Sequence, residues 1–173
     1  MKIFDINQDK LNYEFNYNPE ETAKLKKLFL ERKENKPLSI DDFRRVALWK
    51  YNRVLEISDE LLQKLSELGK TVKIDIYDKK VRDIIGELIA CKGIGLPLAS
   101  SILKFLRPDI FPIIDVRAYR AIFGKKIYST QYTVSIYYKY VKEIYEIKNK
   151  LKLPLDKVDE QLYEFDIANN GKI

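Results

Sequence analysis

The sequence predicts an all-α protein. Apolar residues recur at three- and four-residue spacing through nearly the whole chain, and capping residues and prolines stand where those stretches begin. The one well-marked alternating stretch, Thr71 to Tyr77, has no obvious strand partner and does not make a sheet.

The elements follow in order. The first 17 residues are mixed, with Tyr13, Phe15 and Tyr17 alternating as in a short strand or an arm packed on the core. Asn18 is a good N-cap, Pro19 suits the first helical position, and Glu20 and Glu21 complement the helix dipole of a helix running to about Lys33. Ser39 and Asp42 form a capping-box-like start to a second helix carrying Phe43, Val46, Ala47 and Tyr51. Ser58 caps a third, with Leu61, Leu62, Leu65 and Leu68 inward and Gly69 as its stop. Val72, Ile74 and Ile76 share one face of an extended connection. Asp78 then caps a helix with Val81, Ile84, Ile85, Leu88 and Ile89 on one stripe, ending at Lys92–Gly93–Ile94–Gly95. The next helix buries Leu98, Ala99, Ile102, Leu103 and Leu106, and Pro108 and Pro112 bound a short loop. Another helix starts at or after Asp115, a long Tyr-rich one lies beyond Thr130, and the last follows Pro154 with Leu155, Val158, Leu162 and Phe165 inward.

With 173 residues, the chain is one domain's worth, or two small lobes around a shared interface. It contains no histidine, which excludes imidazole bases, serine–histidine–aspartate triads and histidine metal sites. One cysteine, Cys91, permits no internal disulfide, zinc knuckle or iron–sulfur cluster. No metal and no cofactor are expected. The apolar stretches fall short of a membrane span and the N-terminus lacks a signal-peptide core, so a soluble, cytoplasmic protein is expected. The formal charge of +6 favours a polyanionic partner.

That charge is concentrated. Residues 81–126 carry eight basic and four acidic side chains, whereas 140–173 net one negative charge. The window holds two helices joined by Gly93–Ile94–Gly95, a tight turn that calls for positive φ and a close backbone approach. Gly95 leads into a helix N-terminus, where free amides and the positive end of the dipole suit a phosphate, and Lys92 adds a charge beside it. Alone, a Gly-x-Gly between helices is an ordinary turn.

The stretch KGIGLPLASSILKFLRPDIFPIIDVRAYRAI resembles the hairpin and following loop of the helix-hairpin-helix base-excision DNA glycosylases. The hairpin reads Gly-hydrophobic-Gly, a small residue (Ala99) follows in the second helix, and an aspartate, Asp115, stands twenty residues beyond Gly95 after an apolar run. The match covers about residues 81–123, with the hairpin at about 79–106; the flanking helices are consistent but less diagnostic. The resemblance implies a compact, two-lobed helical glycosylase-like domain over 1–173 that binds double-stranded DNA, with Asp115 as the catalytic carboxylate. Such a group stabilises the positive charge that glycosidic cleavage builds on the sugar. Lysine-bearing members of this superfamily place an amine two residues after the second hairpin glycine; here that position is Pro97, which implies a monofunctional enzyme without lysine-dependent strand cleavage. The alternative is a non-catalytic DNA-binding module in which Asp115 only caps its helix.

A flipped base needs a pocket that stacks and hydrogen-bonds it. Trp49, Tyr51, Phe111 and Tyr119 are candidate walls, with Lys50 and Arg53 among the polar contacts; as residue types Trp49 and Tyr51 favour the core. Arg117 and Arg120 suit either phosphate contacts or a solvated face.

Overall fold

The computed structural model describes residues 1–15, 19–35, 37–50 and 57–173, and Asn18, Tyr17, Tyr51 and Arg53 lie outside the described residues. Pro19 opens α1 (Pro19–Asn35), which buries Leu25 and Phe29. The reciprocal cap expected of Ser39 and Asp42 starts α2 (Ile40–Lys50): Asp42 Oδ2 accepts from the Ser39 amide at 2.9 Å, and the Asp42 amide donates to Ser39 Oγ at 3.4 Å. Arg32 donates to the second Asp42 oxygen at 2.9 Å and so ties α1 to α2. Ser58 caps α3 (Asp59–Lys70) by accepting from the Leu61 amide.

Gly69 does not stop that helix. It sits buried inside α3, and a Cβ there would lie 2.8 Å from Leu106 Cδ1. The missing side chain serves close packing between elements rather than termination. Residues 71–77 are not the extended connection expected: the chain bends at 72–73 and turns at 75–78, where the Asp78 amide donates to Asp75 O at 3.0 Å, and of the three apolar residues only Ile76 is buried while Val72 is exposed.

Asp78 caps α4 (Lys79–Ala90) through the Lys80 amide at 2.8 Å, and a short turn leads into α5 (Leu96–Leu106). α6 (Val116–Phe123) is followed by one 3-10 turn at Ser129–Gln131, then α7 (Val134–Leu151) and α8 (Leu155–Asn170). Among the described residues there are eight α-helices and no strand. The protein is all-α.

Every residue of α5 except Pro97 is buried, as a helix that is apolar nearly all round must be. α1, α2 and α4 pack against it, while α6 and α7 pack on α8. The N-terminal arm lies on α8 as well. Tyr13 meets Phe165 edge-on at 6.1 Å, Gln161 exchanges hydrogen bonds with the Tyr13 backbone, and Phe15 meets Tyr163 at 6.1 Å. The alternation of Tyr13 and Phe15 therefore marks an arm, not a strand.

Candidate nucleic-acid interface and cleft

The turn between α4 and α5 uses its two glycines differently. Gly93 has φ +83°, in the region only glycine enters readily, whereas Gly95 has φ −93° and stands as the N-cap of α5. The expected positive φ thus holds for Gly93 alone. Gly95 is exposed and brings no side chain to cap the helix, so among the described residues no side-chain hydrogen bond caps the first amides of α5. Lys92 is exposed beside them. Ile94, expected to contact DNA together with Lys92, Gly93 and Gly95 around it, instead has a buried side chain and donates its amide to Cys91 O at 3.1 Å; it shapes the turn from inside.

Beyond α5 the chain runs extended through Phe111–Ile114, entirely buried, to Asp115. A buried extended segment needs partners for its backbone groups, and side chains from three helices supply them. Tyr137 Oη donates to Pro112 O at 2.9 Å, and Tyr140 Oη donates to Ile113 O at 2.8 Å. Asp159 Oδ2 accepts from the Ile113 amide at 2.8 Å, and Ser100 Oγ accepts from the Ile114 amide at 3.1 Å. Burial pushes the phenols of Tyr137 and Tyr140 well above their ordinary value, so both remain donors.

Held in this way, Asp115 becomes the N-cap of α6. Its Oδ1 accepts from the Arg117 amide at 2.7 Å and the Ala118 amide at 2.9 Å. Among the described residues no donor reaches Oδ2. The half-buried side chain also lines a narrow cleft of about 30 Å³, room for one or two waters, between the arm, α1, α2, α5 and α8. Asp115 therefore both caps its own helix and faces a cleft.

The cleft wall includes Phe15, Trp49 and Tyr163, and its ionisable members besides Asp115 are Lys26, Lys50, Lys104, Asp159 and Glu160. Lys104 is 2% exposed and donates to Asp159 Oδ1 at 2.7 Å, to Asp156 O at 2.9 Å and to Glu160 at 3.4 Å. Glu160 also takes Lys26 at 2.8 Å and Lys157 at 2.9 Å. Burial alone pushes Glu160 up, but the charge of Lys104 and the bonds from Lys26 and Lys157 outweigh it and hold the carboxyl at about 2. For Asp159 burial wins over Lys104, and its carboxyl stays above the ordinary aspartate value. Among the described residues no group of three or more cysteine or acidic side chains is placed to hold a metal ion.

Several expected site residues lie elsewhere. Phe111 is fully buried in the core and does not reach the cleft. Tyr119 is buried on α6, 4.5 Å from the Phe123 ring and stacked on Tyr140 at 6.5 Å. Trp49 reaches the cleft but is also a core residue: its ring meets Phe105 edge-on at 5.2 Å and its Nε1 donates to Thr22 Oγ1 at 3.2 Å. Arg120 is no phosphate contact in this fold. It is 2% exposed, and its guanidinium grips Asp166 at 2.7 and 2.6 Å. Arg117 is half-buried, paired with Asp166 at 3.1 Å and bonded to Gly171 O at 3.0 Å. Lys104 and Arg107 are buried too, Arg107 on Asp109 at 2.5 Å, so much of the basic window is internal charge. Arg82, Lys92 and Lys125 are its exposed members.

The chain matches no known family profile, no curated protein and no solved structure.

Proposed function

We propose that this chain is a monofunctional DNA glycosylase of the helix-hairpin-helix type. It hydrolyses the N-glycosidic bond of a damaged or modified base flipped from double-stranded DNA. The observation that carries the reading is Asp115, which stands on a cleft wall with one carboxylate oxygen that no donor among the described residues claims, while the other fixes its position through the α6 cap. As the C1′–N bond breaks, positive charge grows on the sugar; a fixed carboxylate lowers the energy of that state and orients the water that adds to C1′. The base leaves and an abasic site remains.

α4, the Gly93–Gly95 turn and α5 serve as the hairpin in this reading. The uncapped amides of α5, with Lys92, take a backbone phosphate and fix the duplex without reading its sequence. Trp49, Phe15 and Tyr163 place aromatic rings on the cleft wall, and the cleft of about 30 Å³ has to widen between them to admit an extruded base. Pro97 occupies the position of the lysine used in imine chemistry, so strand cleavage by that route is absent. The reaction as written uses no metal and no cofactor, and it takes place where DNA is accessible in the cytoplasm.

A second reading has its own observation. Asp115 Oδ1 accepts two amides of its own helix, which is the whole work of an ordinary N-cap. A non-catalytic helix-hairpin-helix module would keep the phosphate grip and need nothing more. Incubating the protein with duplexes that each hold one modified base, scored directly and after hot alkali, separates the two. Breaks that require alkali on one duplex support the glycosylase, whereas binding with every duplex intact favours the module.

A further inference from the structure

We infer that Ser100 is a positioning residue that ties the first turn of α5 to the segment carrying Asp115. This inference rests on the proposed reading, in which that turn takes phosphate and Asp115 serves the chemistry.

Two adjacent serines, Ser100 and Ser101, are fully buried in an otherwise largely apolar helix. Burying a hydroxyl is unfavourable unless it is hydrogen-bonded, and both donate to the same acceptor, Pro97 O, at 2.8 Å. Only Ser100 does more. Its oxygen also accepts the Ile114 amide at 3.1 Å, and Ile114 directly precedes Asp115. One hydroxyl thus bridges the second residue of α5 and the residue before the cap of α6.

The other anchors of the segment reach it from α7 and α8: Tyr137, Tyr140 and Asp159. Asp159 connects back to α5 at Lys104, but that contact lies two turns from the uncapped amides. Ser100 is the short path between the group that would fix the phosphate and the group that would face the sugar. A shift of about 1 Å between such groups is enough to slow a reaction about a hundredfold.

Ser101→Ala is an internal control, because it removes the same bond to Pro97 O without orphaning Ile114. The test compares wild type, Ser100→Ala and Ser101→Ala in three measurements. These are affinity for an unmodified duplex, amide chemical shifts with and without that duplex, and single-turnover excision from any duplex the wild type acts on. We expect all three proteins to bind with affinities within about threefold of one another. Duplex should shift the Leu96 and Leu98 amides in all of them, but the Ile114 and Asp115 amides only in wild type and Ser101→Ala. Excision by Ser100→Ala should fall at least tenfold, with little change for Ser101→Ala.

Equal behaviour of the two variants, in shifts and in rate, overturns the role of Ser100 while leaving excision intact. A wild type that binds without excising leaves the shifts to decide. A wild type that does not bind duplex removes the DNA reading, and this inference with it.

Discussion

The ammonium of Lys104 lies 2.7 Å from the carboxylate of Asp159, and both side chains are sealed from solvent. Breaking a buried pair leaves an uncompensated charge and costs about 3–5 kcal/mol, far more than a surface pair is worth. Lys104→Met should therefore lower the unfolding free energy by about that amount in a urea titration. Adding Asp159→Asn should restore part of it, because the stranded charge is gone and an amide oxygen can still accept from Ile113. A single variant within about 1 kcal/mol of wild type would show that the pair is not what holds α5 to α8.

The glycines of the α4–α5 turn should separate in the same assay. Gly93→Ala forces a side chain into the left-handed region and should cost about 1–2 kcal/mol. Gly95→Ala meets only Pro97 Cδ at 3.9 Å and should fold nearly as well as wild type. Its methyl group would stand over the uncapped amides, so its duplex affinity should fall while its melting temperature does not.

Arg120 and Lys92 should part company in the opposite sense. Arg120→Met leaves Asp166 buried, with only the partly exposed Arg117 as a charged partner, and should destabilise by several kcal/mol. Lys92→Gln, at an exposed side chain, should cost no more than about 1 kcal/mol. In salt titrations of duplex binding it should flatten the slope of log affinity against log salt by about 1, as the loss of one phosphate contact requires. An unchanged slope would remove Lys92 from the interface.

Glu160 gives the pH dependence a sign. Its folded-state value of about 2 lies below the ordinary glutamate value of 4.5, so its contribution is fully present above 4.5 and is lost as pH falls toward 2. The full shift corresponds to at most about 3 kcal/mol. Between these limits, Glu160→Gln should lose stability less steeply than wild type. Parallel curves would mean that Lys26, Lys104 and Lys157 do not hold the carboxylate.

How far the sequence reaches depends on whether the information is local. Caps at Ser39, Ser58, Asp78 and Asp115, and the helical stripes behind them, depend on neighbours within four residues and read directly. Arg120 was not legible as an internal group because its partner, Asp166, is 46 residues away. The same holds for Lys104 and Asp159, 55 residues apart. One signal was available: Asp159 and Asp166 are seven residues apart on the inward stripe of α8 that also carries Leu155, Leu162 and Phe165. Charges on such a stripe need buried partners, and α5 and α6 offer basic residues on their own inward faces. Gly69 misled for a different reason, since a glycine near a helix end reads as a stop unless the neighbouring Leu106 is known. Of the cleft, Trp49, Lys50 and Asp115 were readable as types, while Lys26, Glu160 and Tyr163 come together only through the packing of α1 and α8 around α5.

The central claim is that Asp115 performs chemistry beyond its cap. Asp115→Asn tests it most directly, because asparagine caps a helix as well as aspartate and keeps the fold while removing the charge. On a duplex from which the wild type excises a base, single-turnover rates read after hot alkali should fall at least a hundredfold, with unchanged duplex affinity and melting temperature. A variant that excises at the wild-type rate would contradict the claim and leave Asp115 as a cap alone.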